Sequence, residues 1–424
     1  MSILETVKSW FEPFKPLSRE VLHYQTPPDA AQQYRLHLRV EEDEFAPGGG
    51  RGLLIVNAAT VLHLNQTATE YARFLIQGTD EEDVARAMAR RYRVGRAAAR
   101  EDYRRLRDHI VTLATSVDLC PVTYLDMERV EPFSAETSAP YRVDLALTYR
   151  VDQAGAPDPV DAVDPEARRR VDRELTTGEW GRCLNVLWDV GVPHVCFTGG
   201  EPTLRDDLVE LVGVAEELGL VTGLLTDGRR LREQAFLDGL LLAGLDHVQI
   251  TLASHRPEVH DAIVERDGAW REAEAGLRNA LDGDVYVVVH VVVVPANADS
   301  VAETVAYLAE LGVPAVALSS PLWGAPEEDR LRLQAALGEG QDAAHEHGLT
   351  LVWDLAAPYS HVNPIEVEAG LRPKQVIRQH LYVEPDGDVL PAQGYNVVLG
   401  NLLRDPWEAI WDHPERKKLA GGGS

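Results

Sequence analysis

Short apolar runs alternate with longer helical stripes over residues 141–365. The runs are typical of buried strands, and the stripes are typical of amphipathic helices. Repeated β–α units of this length predict a parallel sheet, open or curled toward a barrel, with ligand sites at the carboxyl ends of its strands. Strands are predicted at residues 143–149, 194–197, 221–226, 247–252, 285–294, 315–318 and 349–353.

Two pairs of residues have the spacing of a capping box, in which a threonine and a glutamate cap a helix reciprocally. Thr176 and Glu179 predict the start of the clearest helix in the chain. Its apolar stripe includes Cys183, which we interpret as a core residue. Thr79 and Glu82 predict a second helix start, near the amino terminus.

Residues 31–118 have a different pattern from the central region. Alternation at 34–40, 53–56 and 60–64 predicts three strands. Helical periodicity over 67–76, 79–92 and 95–113 predicts three helices. Three strands followed by three helices predict a small winged-helix-like α+β domain.

The remaining segments complete the predicted domain organisation. Residues 1–30 form an amino-terminal segment, and the proline-punctuated residues 119–140 form a linker. The central domain spans 141–365. Residues 366–420 form an extension with a hairpin at its Pro-Asp-Gly turn and a helix, expected as a cap over the sheet, and 421–424 form a Gly/Ser tail.

Charge and composition exclude several classes of function. A net charge of -27 argues against a general affinity for nucleic acid or anionic membranes. The most apolar run, 285–294, is too short to span a bilayer. Three cysteines give no disulfide framework, so we expect a cytoplasmic protein. DNA binding stays open as an alternative for the winged helix because arginines cluster at positions 90, 91, 93, 96, 100, 104 and 105.

A glycine turn follows the strand predicted at 194–197. Gly199 and Gly200 allow a sharp turn, Glu201 adds a carboxylate, and Pro202 suits a helix start. This stretch resembles the Gly-Gly-Glu-Pro motif of radical S-adenosylmethionine (radical SAM) enzymes. The resemblance implies a partial (β/α)6 TIM-like barrel within the α/β class, with SAM bound beside a [4Fe–4S] cluster.

Polar residues at the next strand ends match the same resemblance. Thr226 and Asp227 follow the third strand, Thr251 and Ser254 follow the fourth, and Asn297 follows the fifth. The resemblance implies that they contact the methionyl, ribose or adenine group of SAM. Each of them taken alone is as typical of a cap or a turn.

The cysteines that define the family, Cys-x-x-x-Cys-x-x-Cys after the first strand, are missing. Their positions fall on Val151, Gly155 and Asp158. Cys120 lies in the linker, and Cys196, like Cys183, is interpreted as a core residue. We therefore expect SAM as a candidate ligand but no iron–sulfur cluster, and we predict no catalytic or metal-binding residue.

The two flanking domains also resemble parts of peptide-modifying systems. The stretch from Leu53 to Tyr103 resembles PqqD-like domains, which bind a leader peptide as an added strand. The extension resembles the SPASM or twitch domain of radical SAM peptide maturases, with Ala392 where a cysteine is common. The resemblance implies a leader peptide or peptide substrate as the partner of residues 31–118.

Three hypotheses follow from these observations. The first is a degenerate radical SAM protein of ribosomal-peptide modification, a pseudoenzyme that binds a leader peptide or partner and SAM. The second is a radical SAM peptide-modifying enzyme whose cluster loop is altered in this chain, by engineering or by recent decay. The third is a barrel enzyme with new chemistry at Glu201, Asp227 and Asp158.

Overall fold

The computed structural model describes residues 17–27, 29–42, 50–58, 60–116, 124, 137–151, 170–322, 325–352, 358, 360–364, 367 and 380–420. The chain divides into two compact units. The amino-terminal unit contains Met1–Ser138 and Asp189–Pro193, and the carboxyl-terminal unit contains Ala139–Trp188 and His194–Ser424. No helix of the described residues is long and apolar enough to cross a membrane.

In the described residues of the amino-terminal unit, an antiparallel sheet packs against three helices. Its four strands lie in the order β1-β2-β3-β4. The strands are β1 Glu20–Gln25, β2 Arg35–Glu42, β3 Gly50–Val56 and β4 Thr60–Leu64, and the helices are α1 Gln66–Ile76, α2 Glu81–Tyr92 and α3 Arg96–Thr115.

Alternation along the strands gives this sheet an apolar face. Leu36, Leu38 and Leu54 are buried in one cluster with Ala72 of α1 and Ile110 of α3. Period-two strands and period-3.6 helices place such residues on one side of each element. The apolar pattern therefore decides which faces of the sheet and helices meet.

Two predictions for this unit are wrong. The boundary at residue 31 leaves out β1, which pairs along its whole length with β2. Its six residues are all half-buried or exposed, so its apolar alternation is weak. The cap of α2 is Asp80 and not Thr79, because the Asp80 carboxylate accepts a hydrogen bond from the Glu82 N–H at 2.9 Å.

The carboxyl-terminal unit is an α/β unit built on a long sheet. Over the part of this unit that the structure describes, the sheet has ten strands in the order β11-β10-β9-β8-β7-β6-β5-β12-β13-β14. They are β5 Arg142–Thr148, β6 His194–Gly199, β7 Val221–Thr226, β8 His247–Thr251, β9 Tyr286–Val292, β10 Ala315–Ser319, β11 Thr350–Val352, β12 His380–Val383, β13 Asp388–Leu390 and β14 Gly400–Asn401. The helices are α4 Thr177–Asp189, α5 Leu208–Leu218, α6 Gln234–Leu242, α7 Pro257–Ile263, α8 Ala269–Asp282, α9 Val301–Glu310, α10 Glu327–Glu346, α11 Trp407–Trp411 and α12 Pro414–Ala420.

All neighbouring strands from β11 to β12 pair in parallel. The predicted α/β class and the seven central strands are confirmed. Apolar runs identify these strands because a parallel sheet is covered on both faces, so its strands are apolar along their length. The capping box of α4 is also present, since the Thr176 N–H donates to the Glu179 carboxylate at 2.9 Å.

The predicted cap over the sheet is wrong. The hairpin exists, with Gly387 at a φ of 89° in its turn, but β12 joins the sheet edge. It pairs in parallel with β5, His380 opposite Arg142 and Val383 opposite Leu145. Local alternation identifies a hairpin but does not encode its long-range partner.

Candidate functional site

The turn after β6 lies directly against the chain that leaves β5. The Gly200 N–H donates to the Thr148 carbonyl at 2.7 Å, and the Glu201 N–H donates to the Arg150 carbonyl at 2.8 Å. Gly199 has a φ of 132°, and a Cβ there would lie 2.1 Å from the Thr148 carbonyl oxygen. A Cβ on Gly200 would lie 2.3 Å from the Arg150 carbonyl oxygen. Only glycine allows this close approach of two backbones.

Glu201 links this turn to the carboxyl end of β7. Its Oε1 accepts hydrogen bonds from the Thr203 N–H (2.9 Å), the Thr203 hydroxyl (2.6 Å) and the Thr226 hydroxyl (2.8 Å). Its Oε2 accepts from the Asp227 N–H at 2.8 Å. Pro202 opens the short 3₁₀ turn that carries Thr203. The buried carboxylate therefore joins two strand ends through bonds within the protein.

Burial controls the protonation of Glu201. It raises the pKa of the carboxyl to about 7, and the Asp227 charge adds to the rise. The hydrogen bonds from Thr203 and Asp227 lower that pKa, but the loss of solvation outweighs them. Glu201 is therefore poised to titrate near neutral pH.

This pKa gives a testable pH dependence of stability. The folded state keeps the Glu201 proton above pH 4.5, where the unfolded chain loses it. The contribution of Glu201 to the free energy of unfolding is thus full below pH 4.5 and falls as the pH rises through about 7. Relative to the natural chain, Glu201→Gln should become more stable from pH 5 to 8, by roughly 1–3 kcal/mol. Chemical denaturation of both proteins at each pH measures this difference. A difference that does not change with pH would contradict the protonation account.

Asp227 is held by a neighbouring arginine. Its carboxylate accepts hydrogen bonds from the Arg229 N–H at 2.9 Å and the Arg229 Nε at 2.7 Å. Gly228, with a φ of 76°, makes the turn between them. The Arg229 guanidinium also forms an ion pair with the Asp227 carboxylate at 2.6 Å, so the negative charge is compensated locally.

Thr251 shares a cavity with Asp227. Arg229, His260 and Arg266 also line this small cavity. Burial lowers the pKa of His260 to about 4, so its ring is neutral at pH 7. The cavity lies beyond the carboxyl ends of β7 and β8, where parallel sheets bind ligands.

Ser254 and Asn297 are engaged with the chain around Ala253. The Asn297 side-chain amide donates to the Ala253 carbonyl at 2.6 Å and to the Val292 carbonyl at 2.9 Å. The Ser254 hydroxyl accepts from the Arg256 N–H at 3.1 Å. These two predicted residues brace strand ends and do not line the cavity of Asp227 and Thr251.

Sequence reasoning missed Arg205, which anchors the chain where it leaves β5, just before the loop in which the family motif would lie. Arg205 is buried, and it donates to the Leu147 carbonyl at 3.1 Å and the Leu175 carbonyl at 3.2 Å. Asp207 accepts from it at 2.7 Å. The proximity of Arg205 to the Gly-Gly-Glu-Pro turn is the only sequence signal for this role.

The loop itself is described only at its start. Val151 stands at the first of the three positions where the family motif has a cysteine, and its side chain offers no ligand atom to a metal. Gly155 and Asp158 lie outside the described residues. Of the three residues in the hypothesis of new chemistry, Glu201 and Asp227 lie together, and Asp158 is not described. The carboxylates of Glu201 and Asp227 both accept hydrogen bonds from protein groups.

Comparisons with known proteins now give the family. A model described as "Radical SAM superfamily" matches residues 157–316, and one described as "Iron-sulfur cluster-binding domain" matches 375–422. The PqqA peptide cyclase of Streptomyces rochei is 30% identical over 256 residues, which cover 57% of this chain and 68% of that protein. The chain belongs to the radical SAM superfamily. The superfamily match begins at residue 157, after positions 151 and 155.

Other relatives match over similar lengths. The PqqA peptide cyclase of Methylocella silvestris is 27% identical over 252 residues, 56% of this chain. The chain spans 66% of that protein, just under two thirds, and 34% of the relative in Rhizobium meliloti. SuiB of Streptococcus suis has the same fold, with a TM-score of 0.57, 14% identity and coverage of 96% of this chain and 90% of SuiB.

The cysteines do not fit the cluster that the second family description implies. Iron–sulfur clusters are held by cysteine thiolates, and residues 375–422 contain no cysteine. Cys183 is buried in α4 and Cys196 in β6. Cys120 lies outside the described residues. None of the three cysteines stands at position 151, 155 or 158.

Proposed function

We propose that this chain is a non-catalytic radical SAM protein of ribosomal-peptide modification, which binds a leader peptide and uses no iron–sulfur cluster. The observation that carries the proposal is the occupancy of the three cluster positions by Val151, Gly155 and Asp158. Valine and glycine have no ligand atom in their side chains, and a carboxylate suits harder metals than a cluster iron. The radical chemistry belongs to the cofactor, so it is lost with the cluster.

SAM is the small ligand that we propose for the carboxyl ends of β6 to β9. The support is the retained turn at Gly199–Pro202, together with the positions of Asp227 and Thr251 at the carboxyl ends of β7 and β8. The Glu201 carboxylate accepts four hydrogen bonds within the protein. We therefore assign it to shaping the turn, and we assign contact with the methionyl group to the backbone around Gly200.

The amino-terminal unit is the proposed site for the leader peptide. Among the described residues, β4 pairs with β3 on one side and presents its other side as an edge. Leu62 and Leu64 are buried in the hydrophobic core and anchor the strand there. Val61 and His63 are half-buried on the other face of the strand. An edge of this kind can accept an added strand, whose alternate side chains then pack beside Val61 and His63. By their names, the relatives include peptide cyclases, and SuiB has a structure bound to the precursor peptide SuiA.

Charge in this unit favours a peptide over DNA. Arg100 and Arg104 of α3 form ion pairs with Glu81 and Glu82 of α2, at 2.6 Å for Arg104 and Glu81. Arg91 pairs with Glu70 at 2.9 Å. Much of the arginine cluster is therefore neutralised within the unit, whereas DNA binding relies on cationic side chains that face phosphates.

A binding measurement tests the peptide proposal. Fluorescent synthetic precursor peptides, encoded beside the gene for this chain, are titrated with the full chain. Val61→Asn on β4 should weaken binding about tenfold, because it replaces an apolar contact on the receiving edge. Val21→Asn on the opposite edge strand, β1, is the matched control and should leave the affinity unchanged. No binding of any such peptide, or equal loss in both variants, would contradict the proposed site.

The second hypothesis, an enzyme with an altered loop, is compatible with the same geometry as the first. The turn at Gly199–Glu201 is still bonded to Thr148 and Arg150, at the root of the loop. A frame of this kind is expected to persist whether the chain lost its cluster early or recently. Restoring the three cysteines tests whether this turn still supports a cluster once thiolate ligands are supplied.

A further inference from the structure

A cluster of metal-ligand side chains lies at the other end of the strands, away from the proposed SAM site. His194 is the first residue of β6, and His247 is the first residue of β8. The Cys196 Sγ is 3.4 Å from the His194 Nε2 and 3.9 Å from the His247 Nε2. All three ligand atoms lie within 4.8 Å of one another.

Strand register explains why these side chains meet. Cys196 is opposite Gly223 of β7, and Gly223 is opposite His247. The three residues form one row across a parallel sheet, so their side chains point to the same face. His194 is two residues before Cys196 and therefore points to that face as well.

Gly223 opens the space between the ligands. A Cβ at this position would lie 2.3 Å from the His247 Nε2 and 2.9 Å from the Cys196 Sγ. Any larger residue at position 223 would thus push the Cys196 and His247 side chains apart. Glycine weakens a strand interior, and it is often found where other groups must approach closely.

We propose that His194, Cys196 and His247 bind one Zn²⁺ ion as a Cys-His₂ site. Zinc–sulfur bonds of about 2.3 Å and zinc–nitrogen bonds of about 2.05 Å at tetrahedral angles separate sulfur from nitrogen by about 3.6 Å. The two sulfur–nitrogen distances, 3.4 and 3.9 Å, lie on either side of that value. Cys196 loses its thiol proton to solvent on binding, and the fourth position is left for water.

The charges around the site are compatible with a cation. Arg142 lies near His247, but its guanidinium is bonded to the Asp144 carboxylate at 2.9 Å. Asp246, next to His247, adds a second carboxylate nearby. The site would join β6 to β8 across β7, and it lies apart from the turn at Gly199, so it does not depend on SAM or peptide binding.

Zinc content and cobalt absorption test the proposal. The full chain is stripped of metal, loaded with one equivalent of Zn²⁺, dialysed against a weak chelator and analysed for metal. We expect about one zinc per chain, and with Co²⁺ a sulfur-to-cobalt charge-transfer band. Cys196→Ser should abolish the band, and His194→Gln should weaken zinc binding at least tenfold. His194 is half-buried at the start of its strand, so this second variant should fold, as circular dichroism can verify.

Two controls make the result specific. Cys183→Ala removes the other buried described cysteine and should keep the cobalt band. His345→Gln changes an exposed histidine of α10 and should keep the affinity for zinc. Zinc below about 0.2 per chain in the natural protein, or full zinc binding by His194→Gln, would overturn the proposal.

Discussion

Gly199→Ala is expected to destabilise the carboxyl-terminal unit by roughly 3 kcal/mol or more, because two penalties fall on one residue. Its φ of 132° is a conformation that residues with a Cβ rarely adopt. The added Cβ would also lie 2.1 Å from the backbone oxygen of Thr148. A backbone atom cannot move away as a flexible side chain can, so the turn and the end of β5 must separate.

Urea denaturation followed by circular dichroism measures this effect. Gly213→Ala is the matched control, since its Cβ would have no neighbour within 4 Å and it lies inside α5. That change should stabilise the protein by about 0.5–1 kcal/mol, because alanine favours a helix over glycine. Equal stability of the Gly199→Ala variant and the natural chain would show that the turn is looser than its hydrogen bonds indicate.

Restoring three cysteines is expected to restore a cluster. The variant with Val151→Cys, Gly155→Cys and Asp158→Cys places three thiolates at the spacing of the family motif. The root of the loop is already fixed to the Gly-Gly-Glu-Pro turn by the bonds from Gly200 and Glu201. After anaerobic reconstitution we expect about four irons and four sulfides per chain, the content of one [4Fe–4S] cluster.

A serine version of the same variant provides the control. Serine at positions 151, 155 and 158 makes the loop polar without supplying thiolates, so its iron content should stay at background. Failure of the cysteine variant to take up iron, with its fold intact, would contradict the idea of a preserved frame. Iron uptake together with reductive cleavage of SAM would favour the hypothesis of a recently altered enzyme.

The central sheet could be predicted because its signal is local. Seven apolar runs correspond to seven parallel strands, since buried strands need continuous apolar sequence. The carboxyl ends of β6 and β7 could be placed together in the same way, because parallel strands align their ends. Glu201 and Asp227 do meet there, joined at 2.8 Å through the Asp227 N–H.

Features that depend on long-range partners could not be predicted. β12 completes a strand pair with β5, which lies more than 200 residues earlier, and no local pattern encodes that choice. Arg205 and Arg229 look like ordinary surface residues in the sequence, yet both are buried against strand ends. The sequence pattern indicates a core role for Cys196, and the strand register with Gly223 and His247 is what reveals its neighbours.

Iron and sulfide analysis of the natural chain after anaerobic reconstitution shows whether this protein holds an iron–sulfur cluster. We predict a sulfide content near zero and at most about one iron, because the proposed Cys-His₂ site holds a single ion. The sulfide measurement separates that ion from a cluster, which always contains inorganic sulfide. Tight binding of about four irons and four sulfides per chain would contradict the claim that this protein works without a cluster.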